Sequence, residues 1–338
     1  MRVLVTGASG FLGGRLVQML TERGERVRIL ARDTSDLTHL AACPVELVRG
    51  SLLDAAAVAE AVRGASLVYH CAACSTDWAP WATYQTTNTA GTAALLAAAV
   101  ATGTVERFVH VSTTDVYGYP TTPCDEKAPM RDTGLPYNRT KIQGEAAVWR
   151  AHKVQGLPVT VVRPATIYGP RGKDFVVEIA AMLRQRMMLL IDGGRARGGF
   201  IYVDDVCRAL MAAATAPVAR GRVYNLCGGT GMTWRAYTDA LADALGEKRA
   251  WLQMPFAAAY ATGAAMEAAY GTLRLRSRPP LTRHATLLLG RDQEFPADCA
   301  TKDLQFHPRV TAEEGIALSA AWLRYHYDPG KLTGRAQL

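Results

Sequence analysis

The sequence predicts an α/β fold, a doubly wound parallel sheet with helices on both faces, followed by a smaller, mainly helical C-terminal lobe. Three observations predict it. Short β-branched runs alternate with longer Ala- and Leu-rich stretches through the first half of the 338 residues. A glycine-rich turn, TGASGFLG, joins the first of those runs to the first helical stretch. Beyond Pro170 the alternation gives way to helical pieces interrupted by Pro279, Pro280 and Gly290.

In chain order, strands are predicted at Arg2–Thr6, Arg26–Leu30, Val45–Val48, Leu67–Cys71, Phe108–Ser112 and Val159–Arg163. Each has the length and the β-branched or aromatic content of a strand. Helices are predicted between them at Phe11–Glu22, Asp54–Arg63, Tyr84–Ala101 and Tyr137–Val154, long enough to cross back over a sheet face. A further helix spans Phe175–Arg186, and a Gly- and Arg-rich loop, DGGRARGG, follows it. The apolar runs Phe200–Val203 and Val223–Leu226 are expected as late strands or supports of the main sheet. From Thr230 onward the lobe includes Phe256–Leu273, rich in Ala, Met and Tyr. That segment carries Glu267 and barely reaches the about 20 residues of a membrane span, so it is expected as a packed amphipathic helix and no span is predicted.

Composition narrows the function classes. With 49% hydrophobic residues the chain can bury a large core, which excludes a disordered protein. The net charge of +8 is spread over scattered Lys and Arg, with no basic run interleaved with aromatics, so nucleic acid is not an expected partner. A phosphate-rich ligand explains part of the basic excess more simply. Seven cysteines at irregular spacings do not form a disulfide framework, and a reducing cytoplasm fits them. Cys71 and Cys74 form a CxxC that closes the apolar run of Leu67, Val68 and Tyr69, and both are expected to be buried and unreactive. No second CxxC accompanies it, so no metal is expected. The chain opens directly on a strand, MRVLVTG, without a charged leader and apolar stretch, and is expected in the cytoplasm.

The glycine turn carries the first chemistry. Gly7, Gly10 and Gly13 stand at three-residue intervals, with Ser9, Phe11 and Leu12 among them. A strand that turns sharply into a helix, with its backbone pressed against a pyrophosphate, leaves no room for side chains at those points, and the free N–H groups of the helix start bind the anion. The turn therefore predicts a dinucleotide site. At the end of the second strand, where a carboxylate would accept the ribose hydroxyls of NAD, the chain has Ala31 followed by Arg32. Arg32 is placed to pair with a 2′-phosphate, which favours NADP(H); Asp33, one step on, keeps NAD(H) possible. Residues 1–170 and 200–228 are expected to form the dinucleotide-binding domain, and 171–199 with 229–338 the substrate-binding lobe over the carboxyl ends of the strands.

Tyr137 and Lys141 lie four apart in YNRTK on a predicted helix, which puts both on one face. A phenol with a pKa near ~10 is a poor acid–base group at neutral pH unless positive charge stabilises its phenolate. Lys141 is expected to supply that charge. A further donor for the substrate oxygen is offered at the strand end HVSTTDVYG by Ser112, Thr113 or Thr114.

On these residues the sequence resembles the extended short-chain dehydrogenases, within the NAD-dependent epimerase/dehydratase superfamily, over almost its whole length. The resemblance rests on TGASGFLG, HCAA at Cys71, NTAGT at Asn88, VSTTDVYG, YNRTK, RPATIYGP and FIYVDDV, in the family's order. The later segments YNLCGGTGMTWRAYTDALADALG, PPLTRHATLLLG and FHPRVTAEEGI look most like the branch of 3β-hydroxysteroid dehydrogenases and dihydroflavonol reductase-like enzymes. It implies a Rossmann domain, Thr113 as the hydroxyl that holds the substrate oxygen, Tyr137 as acid–base and Lys141 as its partner. It also implies Ala72 beside the cofactor, Pro164 on the nicotinamide side, and a homodimer through the helices after the fourth and fifth strands. Asn88 could tie its helix to the site, but a structural hydrogen bond is the role expected of it. One departure is the pair Gly50 and Ser51, where the family often has Gly-Asp, so that adenine is expected to be held less tightly or through Leu52 and backbone alone.

The implied activity is that of a ketoreductase or alcohol dehydrogenase, moving a hydride between the nicotinamide and a ketone or secondary alcohol on a hydrophobic, steroid-, flavonoid- or polyketide-like molecule. Trp78 and Trp81, with Thr114 and Thr166, are expected to face that substrate, and Trp251 and Met254 add apolar surface. A nucleotide-sugar epimerase or dehydratase is the rival. Such enzymes usually have an Asn where this chain has Thr166 and an Arg where it has Gly198, with Arg197 as the neighbour that could compensate. A dehydratase would also want a carboxylate pair after Thr113, of which Thr114 and Asp115 retain one. A dinucleotide-sensing regulator without chemistry would commonly lack the Tyr or the Lys, and both are present.

Overall fold

The computed structural model describes residues 2–229, 231–275 and 277–327; Thr230, the expected start of the lobe, and its last residues, 328–338, lie outside the described residues. The first strand, β1 (Arg2–Thr6), turns into α1 (Phe11–Glu22), which returns the chain to β2 (Arg26–Ala31). Then come β3 (Val45–Arg49), α2 (Ala55–Val62) and β4 (Leu67–His70). The start of α2 is set by Asp54, whose carboxylate accepts the Ala56 and Ala57 amides at 3.1 Å each. The helix expected at Tyr84–Ala101 starts earlier: α3 (Trp81–Tyr84) passes through a π-helical stretch, Gln85–Gly91, into α4 (Thr92–Thr102). Next are β5 (Arg107–Val111), α5 (Pro136–Gln155) and β6 (Val159–Pro164); α5 begins on Pro136 and stops at Gly156, whose φ of 72° closes it.

The remainder runs β7 (Thr166–Tyr168), α6 (Glu178–Arg184), β8 (Leu189–Ile191), β9 (Phe200–Tyr202), α7 (Val203–Thr215) and β10 (Arg222–Leu226). It continues with α8 (Trp234–Leu245), β11 (Leu252–Met254), α9 (Phe256–Thr272), α10 (Arg283–Gly290), α11 (Asp298–Leu304) and α12 (Ala312–His326). The main sheet has seven parallel strands in the order β10-β6-β5-β4-β1-β2-β3. Its strands feed two cores by alternation: Val3, Val5, Ile29, Tyr69 and Val109 face one, while Leu4, Leu30, Val68 and Phe108 face the other. The chain leaves β1 toward β2 and β3, then comes back to β4 on the other side of β1. The crevice beyond the ends of β1 and β4 is therefore the switch point where such sheets bind ligands.

Two expectations are corrected here. The run Phe200–Val203 does not join the main sheet. Its strand β9 pairs with β7 in a separate two-stranded parallel sheet, because the edge beside β6 is already filled by β10. The Phe256–Leu273 helix is present as α9 and is packed as expected, with Phe256, Ala259 and Met266 meeting Ile191 and Leu281, but it is not amphipathic. Its apolar content is mostly alanine, carried on the outward side as well, at Ala257, Ala258, Ala261, Ala265, Ala268 and Ala269. Among the described residues no helix is long and apolar enough to cross a membrane.

Candidate active site

Gly7 and Gly13 hold the turn after β1 in a shape that no other residue fits. Gly7 has φ +77° and lies against the loop after β4, where a Cβ would come within 2.6 Å of the Ala72 backbone nitrogen. A Cβ on Gly13 would meet the Gly7 carbonyl oxygen at 2.3 Å, so α1 is drawn tight against the strand turn. The N-terminus of α1 has Gly10 as its cap, no side chain bonded to it and no acidic residue in its first turn. Ser9, Phe11 and Leu12 surround this open end. A cradle of bare backbone with free N–H groups at a switch point fits a dinucleotide pyrophosphate. Leu52 packs against Gly91, where an added Cβ would come within 2.9 Å of the Leu52 Cβ.

At the end of β2, Arg32 is exposed, and its side chain has no hydrogen bond or ion pair among the described residues. The Arg49 guanidinium lies close by, donating to the Arg32 carbonyl at 3.0 Å. The Arg49 guanidinium is thus fixed on the backbone of Arg32.

The hydroxyl cluster at the end of β5 is sorted by its partners. Ser112 is taken into the interior, donating to Glu145 at 2.7 Å. Thr113 accepts the Asp115 amide at 3.2 Å, and its hydroxyl acts on the Tyr137 phenol to lower its pKa. Thr114, 2% exposed, is enclosed. Of the three candidates it is Thr113 that meets Tyr137.

Lys141 is buried, with Nζ donating to the Val111 carbonyl at 2.6 Å. Burial pulls its pKa down to about 8, with Glu145 and Cys71 acting against the fall. The expected lowering of the phenol is not what this arrangement produces. Loss of water and the Asp115 carboxylate push Tyr137 above the usual phenol range, and the Thr113 hydroxyl opposes them only in part. The ammonium is drawn toward the end of β5 by the Val111 carbonyl instead.

Behind these groups lies a buried polar network. Glu145, on α5 one turn after Lys141, pairs with Arg163 of β6, and the two side chains are 0% and 4% exposed. Arg163 also donates to the Tyr117 hydroxyl at 2.7 Å, which donates to Asn225 at 2.7 Å. Asn88, in the π-helical stretch, accepts the Cys74 amide at 2.7 Å and donates to the Cys74 carbonyl and the Thr140 hydroxyl at 3.1 Å each, so it ties the loop after β4 to α5. Cys71 and Cys74 are half-buried free thiols; burial pushes Cys71 up to about 12 and also raises Cys74.

The later part of the chain adds groups that sequence reasoning missed. His284 of α10 stacks on Tyr137, with ring centroids 5.7 Å apart and planes at 16°, and its Nε2 lies 3.1 Å from an Asp115 carboxylate oxygen. The same oxygen accepts the Tyr119 hydroxyl at 2.7 Å. Burial lowers the His284 pKa, but Asp115, helped by Asp77 and Asp174, outweighs it and the net shift is upward. Asp77, in the loop after β4, accepts from Arg278 at 2.5 and 2.7 Å and from Thr282 at 2.7 Å. The only trace of this in the sequence is PPLTRHATLLLG, where a single histidine in an apolar helix reads as packing.

The expected substrate residues divide. Trp78 is half-buried and meets Tyr270 of α9 edge-on at 6.4 Å, whereas Trp81 and Trp251 are 44% and 61% exposed at the surface. Met254 is half-buried in β11. Thr166 is buried with no partner for its hydroxyl. Pro164 ends β6 beside Leu226. Arg197 is paired with Glu294 and its amide donates to Asp292, while a Cβ on Gly198 would collide with the Phe200 ring. Among the described residues no group of three or more His, Cys, Asp or Glu could hold a metal.

Comparison with known proteins gives a matching family model, two similar relatives and a similar solved structure. The model of the NAD dependent epimerase/dehydratase family matches residues 3–227. The chain is 34% identical to a 2-alkyl-3-oxoalkanoate reductase of Stenotrophomonas maltophilia, over 94% of this chain and 97% of that one. It is 32% identical to a 4-hydroxy-2-methyl-3-oxo-4-farnesyl-3,4-dihydroquinoline-1-oxide ketoreductase of Stigmatella aurantiaca, over 94% and 95%. Among solved structures, that of gox2253 superposes with a TM-score of 0.81 at 27% identity, covering 96% of this chain and 98% of the other.

Proposed function

The chain belongs to the NAD dependent epimerase/dehydratase family, and on that premise we propose that it is an NADP(H)-dependent ketoreductase acting on an uncharged, apolar ketone or the matching secondary alcohol. The observation that carries the reading is the placement of Tyr137 in the first turn of α5, with the Thr113 hydroxyl near enough to lower its pKa, at the carboxyl end of β5 beside β4 and the dinucleotide cradle. Two hydroxyls converge there on one point, as holding a carbonyl oxygen and giving it a proton requires. Bound NADPH supplies the hydride to the carbonyl carbon. Thr113 and Tyr137 hold the oxygen, Tyr137 gives its proton to it as the alcohol forms, and Lys141 reloads the phenol. Residues 171–199 and 229–338 serve as the substrate lobe, with Trp78 the favoured apolar contact.

Nucleotide-sugar chemistry is the poorer fit. Arg197, the cation that could have met a diphosphate, is spent on Glu294, and the cleft around Tyr137 holds the carboxylates Asp77, Asp115 and Asp174. The similarity to enzymes named as a 2-alkyl-3-oxoalkanoate reductase and a ketoreductase supports the same choice. The test is a panel of long-chain and polycyclic ketones beside UDP- and dTDP-sugars, followed by loss of the reduced nicotinamide's absorbance and by sugar product analysis. Conversion of a sugar nucleotide with no ketone reduced would reverse the assignment.

For the cofactor, Arg32 with Arg49 beside it supports the 2′-phosphate. Arg32→Ala is expected to raise the KM for NADPH about tenfold, the equivalent of about 1.4 kcal/mol, with the KM for NADH unchanged. Equal effects on both cofactors would remove the case for NADP.

A further inference from the structure

We infer that His284, fixed by Asp115, is a positively charged positioning residue for Tyr137, supplied by the C-terminal part of the chain to complete the site. The inference rests on the ketoreductase reading and adds to it a residue outside the Thr113, Tyr137 and Lys141 set. Its basis is geometric. The imidazole lies nearly parallel to the phenol ring, at 5.7 Å and 16°, while Nε2 faces a carboxylate at 3.1 Å. Tyr119 also meets His284, edge-on at 6.1 Å, and its hydroxyl donates to the same Asp115 oxygen. His284 is therefore fixed by three groups, of which one is the proposed proton donor.

The charges facing the imidazole decide its state. Asp115 and Tyr119 follow β5, Asp77 follows β4, Asp174 follows β7, and Tyr137 belongs to α5. Arg278 is bonded to Asp77 and Thr282 caps α10 at its Ala285 amide, so both are committed within the same corner. Asp115 meets the enclosed ring directly, while Asp77, paired with Arg278, and Asp174, whose own pKa burial raises, act from further away. All three favour the protonated form of the imidazole, and the upward shift of His284 agrees.

A cation stacked on the phenol acts only when the phenol loses its proton. In ketone reduction the O–H bond of Tyr137 breaks, the proton goes to the substrate oxygen, and negative charge appears on the Tyr137 oxygen. An imidazolium nearby lowers the cost of that charge. Without His284 the same charge would form near Asp115 and Asp174, whose effect on Tyr137 is unfavourable and is opposed only in part by Thr113. The pH dependence has a definite sign: reduction is fastest while His284 is protonated and declines as the pH rises through its raised pKa.

The test uses the full-length protein with NADPH. His284→Phe keeps an aromatic ring on Tyr137 and removes the charge. It is expected to lower kcat for ketone reduction by about 10- to 100-fold, to leave NADPH affinity unchanged, and to abolish the alkaline limb of the pH profile. Asp115→Asn keeps the ring stack and is expected to move that limb about one unit toward acid. If His284→Phe does not fold, as judged by NADPH binding, the Asp115→Asn profile decides alone. A limb that stays in place in either variant, or a loss of rate that is uniform across pH, overturns the inference. Histidine 13C NMR reads the charge without turnover. If the protein reduces no ketone, the ketoreductase reading has failed, and the NMR decides the charged pair by itself. A His284 midpoint above its ordinary value that falls in Asp115→Asn supports the pair, and a midpoint at or below that value overturns it.

Discussion

Tyr137→Phe is expected to leave a folded protein that binds NADPH normally and reduces ketones about 10²- to 10⁴-fold more slowly, the contribution typical of a positioned proton donor. The substitution removes one oxygen and little else. The ring keeps its stack on His284 and its place in the first turn of α5, whose start is set by Leu135 and Pro136. What is lost is the phenol hydroxyl, on which Thr113 acts, and with it the proton for the substrate oxygen. Because enclosure and Asp115 hold the phenol above its ordinary range, the donor stays loaded through neutral and mildly alkaline pH in the direction of reduction. Oxidation of the alcohol needs the deprotonated phenol and is expected to rise with pH over the same range. The measurement is single-turnover hydride transfer beside an NADPH titration. A Phe variant with unchanged turnover would mean that another group gives the proton, and the assignment of Tyr137 would fall.

The nucleotide half of this site is written in local signals. TGASGFLG fixes a backbone path by removing side chains, and glycine spacing is visible in one dimension because the whole device spans a single turn. The same holds for the strands of the main sheet, whose apolar runs lie within a residue or two of their observed limits. The choice among Ser112, Thr113 and Thr114 from residue type alone was open, because it depends on Glu145 and Tyr137, which approach from a helix more than twenty residues on. The resemblance pointed to Thr113; the packing supplies the physical reason. His284 is a harder case. Its partners Asp115 and Tyr137 are 169 and 147 positions away in the chain, and no spacing rule joins an apolar helix in the lobe to a strand end in the sheet. Short strands such as β8 and β11 were equally hidden, since three residues carry no readable alternation.

The largest expected change in stability lies behind the catalytic groups. Glu145→Ala removes the carboxylate that meets Arg163, Ser112 and the Trp149 indole nitrogen, the last at 3.1 Å. Arg163 is then left 4% exposed with a charge and only the Tyr117 hydroxyl to satisfy it. Breaking one side of a buried pair costs about 3–5 kcal/mol, a large share of the roughly 5–15 kcal/mol that holds a native protein together. Glu145→Ala is therefore expected to move the denaturant midpoint far down, and Arg163→Met to do the same for the converse reason. The double variant Glu145→Leu/Arg163→Met leaves no uncompensated charge and should be more stable than either single one, because the pair's attraction mainly offsets the cost of burying it. Activity separates the two contributions. Glu145 also orients Ser112 next to Thr113 and steadies the charge on Lys141, so the double variant is expected to recover stability without recovering the rate. If Glu145→Ala lost less than about 1 kcal/mol, Arg163 would have found water or another partner, and the network could not be what holds the end of β5 in place.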